Sequence, residues 1–61
     1  MPYINIRVVG ALSREQKQQI AEEISDTLER IAHKPKAITH VVFEELPGEN
    51  WAVGGKLLDD K

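Results

Sequence analysis

Two strand-like runs stand on either side of one helical stretch, and the distance between them constrains the fold more than any other feature. In the first, Tyr3-Ile4-Asn5-Ile6-Arg7-Val8-Val9, residues Ile4, Ile6 and Val8 point one way while Tyr3, Asn5, Arg7 and Val9 point the other. That period of two marks a half-buried strand. The second run extends from about Ile38 to Glu45, and its Val41-Val42-Phe43 centre is apolar on both faces, the pattern of a strand covered on two sides. Some 28 residues separate the runs. A hairpin needs only a short turn, whereas a span of that length suits a helical crossover, so the two strands are expected to be parallel with a right-handed connection.

The intervening segment has the signals of a single amphipathic helix. Gly10 and Ala11 break the first strand. Ser13 reads as an N-cap, and Gln16 three residues on completes a capping box. Ile20, Ile24, Leu28 and Ile31 form one apolar stripe. Glu15, Lys17, Gln18, Glu22, Asp26 and Glu29 make a solvated outer face, on which Asp26 and Arg30 are spaced as a favourable ion pair. Pro35 is expected to end the helix near Ala32 or His33, because the residue before a proline is pushed out of the helical region. Beyond the second strand, Pro47-Gly48-Glu49-Asn50 reads as a turn. Trp51-Ala52-Val53-Gly54-Gly55-Lys56 is too short and glycine-rich for a core strand and reads as a small hairpin or arm.

Sixty-one residues make one small domain, residues 1–61, of the α/β (α+β) class. A chain of this size buries only about 60% of the surface its unfolded form exposes. Small scaffolds are usually secured by disulfides, a metal or oligomerisation. There is no cysteine, which removes disulfides and thiolate zinc sites together. The two histidines, His33 and His40, do not make a metal set, so neither metal nor cofactor is expected. A β-α-β unit covers one face of its sheet, and the other face is therefore expected to meet another subunit. The net charge of −2, with basic residues scattered, argues against a nucleic-acid surface. No apolar stretch approaches the ~18–20 residues of a membrane span, and no signal-peptide pattern is present. A soluble, cytoplasmic protein is expected.

The chemistry is suggested by Met1-Pro2. Loss of Met1 leaves Pro2 as a chain-terminal secondary amine at the head of a strand. An α-amino group titrates near ~7.7–8.0 before any site perturbs it, so such an amine can act as a base without a side chain. On its own this start means little, since the first residue of a strand is where proline is tolerated anyway.

Taken together, these features closely resemble the 4-oxalocrotonate tautomerase family. The resemblance rests on Met1-Pro2 with the Ile4/Ile6/Val8 strand, Ser13 with Glu15-Gln16-Lys17, Pro35 before the second strand, Glu45 at its end, and Trp51-Ala52-Val53-Gly54-Gly55-Lys56. It implies a β-α-β subunit that pairs its two parallel strands with a partner's into a four-stranded sheet. Three such dimers assemble into a hexamer, with the C-terminal arm as a clasp between them. It also implies a cofactor-independent isomerase, in which the terminal proline moves a proton on a small 2-hydroxy or 2-oxo acid such as 2-hydroxymuconate.

By the same resemblance Pro2 is the catalytic acid/base, and Trp51 takes the aromatic position that walls the pocket. The family's two substrate-gripping arginines fall at Leu12 and His40, so both guanidinium groups are lost. His40 remains able to donate a hydrogen bond to substrate, without the bidentate fork of arginine. Arg7, Arg14 and Lys36 are candidates for a relocated cation. The expected function is a tautomerase-like isomerase working as a homohexamer. Three alternatives stay open: a mixed oligomer whose other chain supplies the arginines, a hydratase in which Glu44, Glu45 or Glu49 activates water, and a non-catalytic relic of the fold.

Overall fold

The computed structural model describes residues 1–59; the last two residues of the expected 1–61 domain lie outside them. Strand β1 (Tyr3–Val9) leads into helix α1 (Arg14–Ala32), which returns to strand β2 (His40–Leu46); a hairpin of β3 (Ala52–Val53) and β4 (Lys56–Leu57) follows. β1 and β2 are parallel, in a register that runs from Tyr3 opposite His40 to Val9 opposite Leu46. The spacing between the two runs thus has the consequence expected of it.

Local chemistry explains the element boundaries. Ser13 caps α1: its hydroxyl accepts from the Gln16 N–H at 3.1 Å while the Gln16 side chain accepts from the Ser13 N–H at 2.9 Å. At the other end His33 adopts the left-handed conformation, φ 58°, its N–H bonding the Glu29 carbonyl at 3.1 Å and the Lys34 N–H the Leu28 carbonyl at 3.3 Å. Proline two residues later permits no continuation. The second strand starts later than its sequence suggests, because Lys36–Ile38 form a single 3-10 turn and the ladder begins only at His40. The cause is local competition. The Thr39 hydroxyl donates to the Pro35 carbonyl at 3.0 Å and the Ile38 N–H to the same oxygen at 3.2 Å, so the chain stays coiled where isoleucine favours extension.

The helix lies on the sheet face that carries Ile4, Ile6, Val8, Val41 and Phe43, all half-buried. Glu45 continues that face in alternation with Val41 and Phe43, and its carboxylate meets the helical Lys17 and the N–H of Leu12. Helix residues Lys17, Ile20, Ala21, Ile24 and Leu28 are half-buried, and Ser25 is the most buried residue described, at 7% exposure. The small Ala21 and Ser25 let the helix approach closely. Ile31, expected on the same stripe, is instead 64% exposed. A 19-residue helix is about 28 Å long and a seven-residue strand about 20 Å, so the last turn overhangs the sheet. The expected Asp26–Arg30 pair is also replaced: the Asp26 carboxylate takes Lys36 Nζ at 2.9 Å.

Past β2, Gly54 and Gly55 (φ 59° and 80°) make the two-residue turn that joins β3 to β4, where both positions need positive φ. The Leu58 N–H bonds the carbonyls of Trp51 and Gly48, folding the hairpin against the turn that precedes it. Gly48 is needed there for space, since a Cβ would stand 3.0 Å from Asp59.

One subunit leaves much apolar surface bare. Its radius of gyration is 14.6 Å, against about 10.5 Å for a compact chain of this length. Its accessible surface is 4842 Å², roughly 800 Å² above the value expected for its mass. The sheet face opposite the helix carries Tyr3, Val9 and Val42, exposed by 63%, 40% and 42%. Val53, Leu57 and Leu58 on the arm are exposed as well. No hydrophobic residue among those described is fully buried. A chain of this size with so little of its apolar surface buried is marginal alone.

Candidate active site

The parallel register brings Pro2 and His40 together. The His40 N–H donates to the Pro2 carbonyl at 2.9 Å, one step before the Tyr3–His40 pair, so the ladder continues into Pro2 and fixes its backbone at the head of the sheet. Pro2 is half-buried and His40 exposed. Met1 is 84% exposed, so the fold loses almost no burial if it is removed. With Met1 attached the Pro2 nitrogen is an amide; without it that nitrogen is an amine standing beside the start of β2.

Leu12 and Trp51 lie at the opposite end. Gly10 N–H bonds the Leu46 carbonyl at 2.9 Å, and Leu12 N–H bonds Glu45 Oε2 at 3.0 Å, which ties the β1–α1 loop to the end of β2. Trp51, half-buried, follows the 3-10 turn Gly48–Asn50 just beyond β2. β2, about 20 Å long, runs from the end that holds Pro2 and His40 to the end where Leu12 is tied, and Trp51 follows it in the chain. Of the expected site residues, one subunit therefore brings Pro2 and His40 together and leaves Trp51 apart.

The three candidate cations have distinct surroundings. Arg7 lies mid-strand on the bare sheet face, with Nε 3.2 Å from Glu44 Oε1. Arg14 is exposed at the first helical residue, two positions from Leu12. Lys36 is at the Pro2 end, but its ammonium is held by Asp26 at 2.9 Å with Glu22 at 3.9 Å. The Asp26 hydrogen bond raises the Lys36 pKa above its ordinary 10.5.

Two of the carboxylates considered for water activation are similarly occupied. Glu44 accepts from Asn5 Nδ2 at 2.6 Å and from Arg7, and these bonds hold its pKa below the usual 4.5. Glu45 is lowered by Lys17 and then by the Leu12 N–H. Both are fixed anions with structural partners, well down β2 from Pro2. A surface depression of about 540 Å³ runs along the outer side of α1 between Arg14 and Asp26, and it includes none of Pro2, His40 and Trp51. No described helix is long and apolar enough to cross a membrane.

Sequence reasoning did not anticipate how far Glu45 and Lys36 organise the two ends of the sheet. The signal was present for Lys36: Glu22, Asp26 and Glu29 line one edge of the helix, and Lys36 is the second cation after it.

The Tautomerase enzyme family model matches residues 2–61, and the chain belongs to that family. It is 39% identical over 59 residues to a probable tautomerase of Helicobacter pylori, covering 92% of this chain and 87% of that one. Among solved structures, YwhB, a homologue of 4-oxalocrotonate tautomerase, superposes with a TM-score of 0.90 at 25% identity over 98% of both chains. A heterohexamer 4-oxalocrotonate tautomerase from Chloroflexus aurantiacus superposes with a TM-score of 0.84 at 28% identity, over 95% of this chain and 94% of its own. The tautomerase fold expected of the sequence is the fold observed, and a tautomerase-like isomerase is the function this kinship supports.

Proposed function

We propose that this chain, after loss of Met1, is a cytoplasmic, cofactor-independent keto–enol tautomerase that uses Pro2 as general acid/base on a small enol or dienol of a 2-oxo acid. In the dienol 2-hydroxymuconate, the Pro2 nitrogen takes the proton of the 2-hydroxyl group. The electron pair moves along the diene as the ketone forms, and the same proton is delivered to carbon. Nothing is gained or lost, so the step needs no co-reactant. The amine must be neutral to begin, which an apolar wall favours by disfavouring the ammonium form. Trp51 from a second copy supplies that wall, and His40 donates toward the substrate carboxylate or developing oxyanion.

The observation that carries this reading is the bond from His40 N–H to the Pro2 carbonyl, in a chain that belongs to the Tautomerase family. It holds the base at a defined point beside His40, the first residue of β2. The separation of Pro2 from Trp51 along one subunit, with the large bare surface, supports a site between copies in a homohexamer built as a trimer of dimers. Leu12 supplies no charge, so a monocarboxylate enol fits better than a dicarboxylate. Intact mass establishes whether Pro2 carries an amine. Turnover of phenylenolpyruvate and 2-hydroxymuconate by the processed protein, lost on acylation of the terminal nitrogen, tests the chemistry; undiminished turnover with Met1 retained overturns it.

A mixed oligomer is the second reading. It is favoured by the heterohexameric make-up of the Chloroflexus relative together with the missing cation at Leu12. Activity that appears only when another chain is added would establish it.

A further inference from the structure

We infer that Lys36 is a positioning residue for the Pro2 site, acting through an ionic latch between the edge of the helix and the turn that delivers His40; this deepens the function proposed above and rests on it. Three bonds make the latch. The Lys36 N–H donates to Glu29 Oε2 at 2.9 Å, Lys36 Nζ meets Asp26 Oδ1 at 2.9 Å, and Glu22 Oε1 lies 3.9 Å from the same nitrogen. Glu22, Asp26 and Glu29 are spaced four and three apart, so they stand along one edge of α1. Lys36 opens the 3-10 turn Lys36–Ile38.

From there a short chain of bonds leads to the base. The Lys36 carbonyl accepts from the Thr39 N–H at 3.1 Å, and the next N–H, that of His40, holds the Pro2 carbonyl at 2.9 Å. Pro2 precedes β1, and this bond holds its carbonyl to the start of β2. Lys36 ties the turn to the helix through the bonds of the latch, while Pro35, Ala37 and Ile38 beside it are exposed. A terminal amine transfers protons well only if it is held still relative to its substrate, and a misplacement of about 1 Å can cost ~10²-fold in rate. Lys36 is therefore a cation that grips the protein rather than the substrate.

The test is Lys36→Met, which keeps the aliphatic stem and removes the charge, beside Lys36→Arg, which restores it. Both are made in the full chain with Met1 removed and assayed with phenylenolpyruvate. Three readouts separate positioning from bulk stability: kcat against KM, the ascending limb of the pH–rate profile that reports the terminal amine, and hydrogen exchange of the His40 amide. Lys36→Met should lower kcat about tenfold with a smaller change in KM, speed exchange at His40 and shift the ascending limb. Lys36→Arg should stay within about threefold of the parent. If Lys36→Met does not fold, Asp26→Asn weakens the same latch and should move the same three readouts by less. A folded Lys36→Met with unchanged kcat, pH profile and His40 exchange overturns the inference. If the parent itself shows no turnover dependent on Pro2, the proposed function fails instead, and His40 exchange still reports on the latch.

Discussion

Separation of Pro2 from Trp51 by the length of β2 gives a quantitative test of where the site is assembled. Pro2→Ala replaces the secondary amine by a primary one of different basicity and geometry. Trp51→Ala removes the aromatic wall while leaving the amine intact. Each variant alone should be severely impaired, the first by a large part of the ~10²–10⁴-fold that a positioned general base contributes. β2, about 20 Å long, runs from the end of the sheet that holds Pro2 to the end after which Trp51 follows, so the proposed site draws the two from different copies. When the variants are co-refolded in equal amounts and mix at random, Pro2 comes from a copy that retains it half the time, and Trp51 does likewise. About a quarter of all sites then regain both, because in an isologous pairing each site is completed by the other copy. The assay is kcat with phenylenolpyruvate for the co-refolded mixture against the two variants refolded separately and then combined. Recovery toward a quarter of parental activity, only after co-refolding, supports a shared site. A co-refolded mixture no better than the mean of its parents refutes it, because a site made within one chain leaves every copy with one defect.

Other expectations follow from single positions. Leu12→Arg and His40→Arg should each raise kcat/KM for 2-hydroxymuconate more than for a monocarboxylate enol, by about ten- to hundredfold if the new charged hydrogen bond is felt mainly in the transition state; equal gains for both substrates would show that charge at these positions does not read the second carboxylate. His33 holds a left-handed conformation, φ 58°, that costs an ordinary residue about 1–2 kcal/mol, so His33→Gly should raise the thermal midpoint despite its looser unfolded chain, and a fall would mean that the imidazole itself supports the cap. Glu44 and Glu45 both titrate below their ordinary 4.5 in the folded chain, so their contribution is present above that pH and is lost as pH falls through the lowered values. Thermal melts of the parent and of Glu45→Gln should therefore differ at neutral pH and converge in acid; parallel curves down to the lowest pH would remove Glu45 from the account.

What could be read in the sequence was whatever one segment decides by its own chemistry. The capping box at Ser13 and Gln16, the stop before Pro35 and the glycine-rich hairpin or arm at 51–56 each rest on neighbours a few residues apart, and parallel pairing rests on a chain length no hairpin needs. The misplaced features involve a competitor from elsewhere in the fold. Asp26 has a good helical partner in Arg30, but Lys36 arrives from the next element with a backbone N–H for Glu29 as well as a charge for Asp26. Ile31 fits the apolar stripe, but whether it is covered depends on how far β2 reaches beneath α1, a difference of two lengths that no local pattern records. The candidate site divides in the same way. Pro2 is legible because its chemistry belongs to its own nitrogen. Its adjacency to His40 depends on a parallel register that side-chain alternation leaves open by steps of two, and the Pro35–Thr39 turn selects the step by delaying the ladder to His40. The 3-10 turn that defeats a propensity-based strand boundary thus aligns His40 with Pro2, and the lysine that opens it is the residue whose loss should disturb the base without touching substrate.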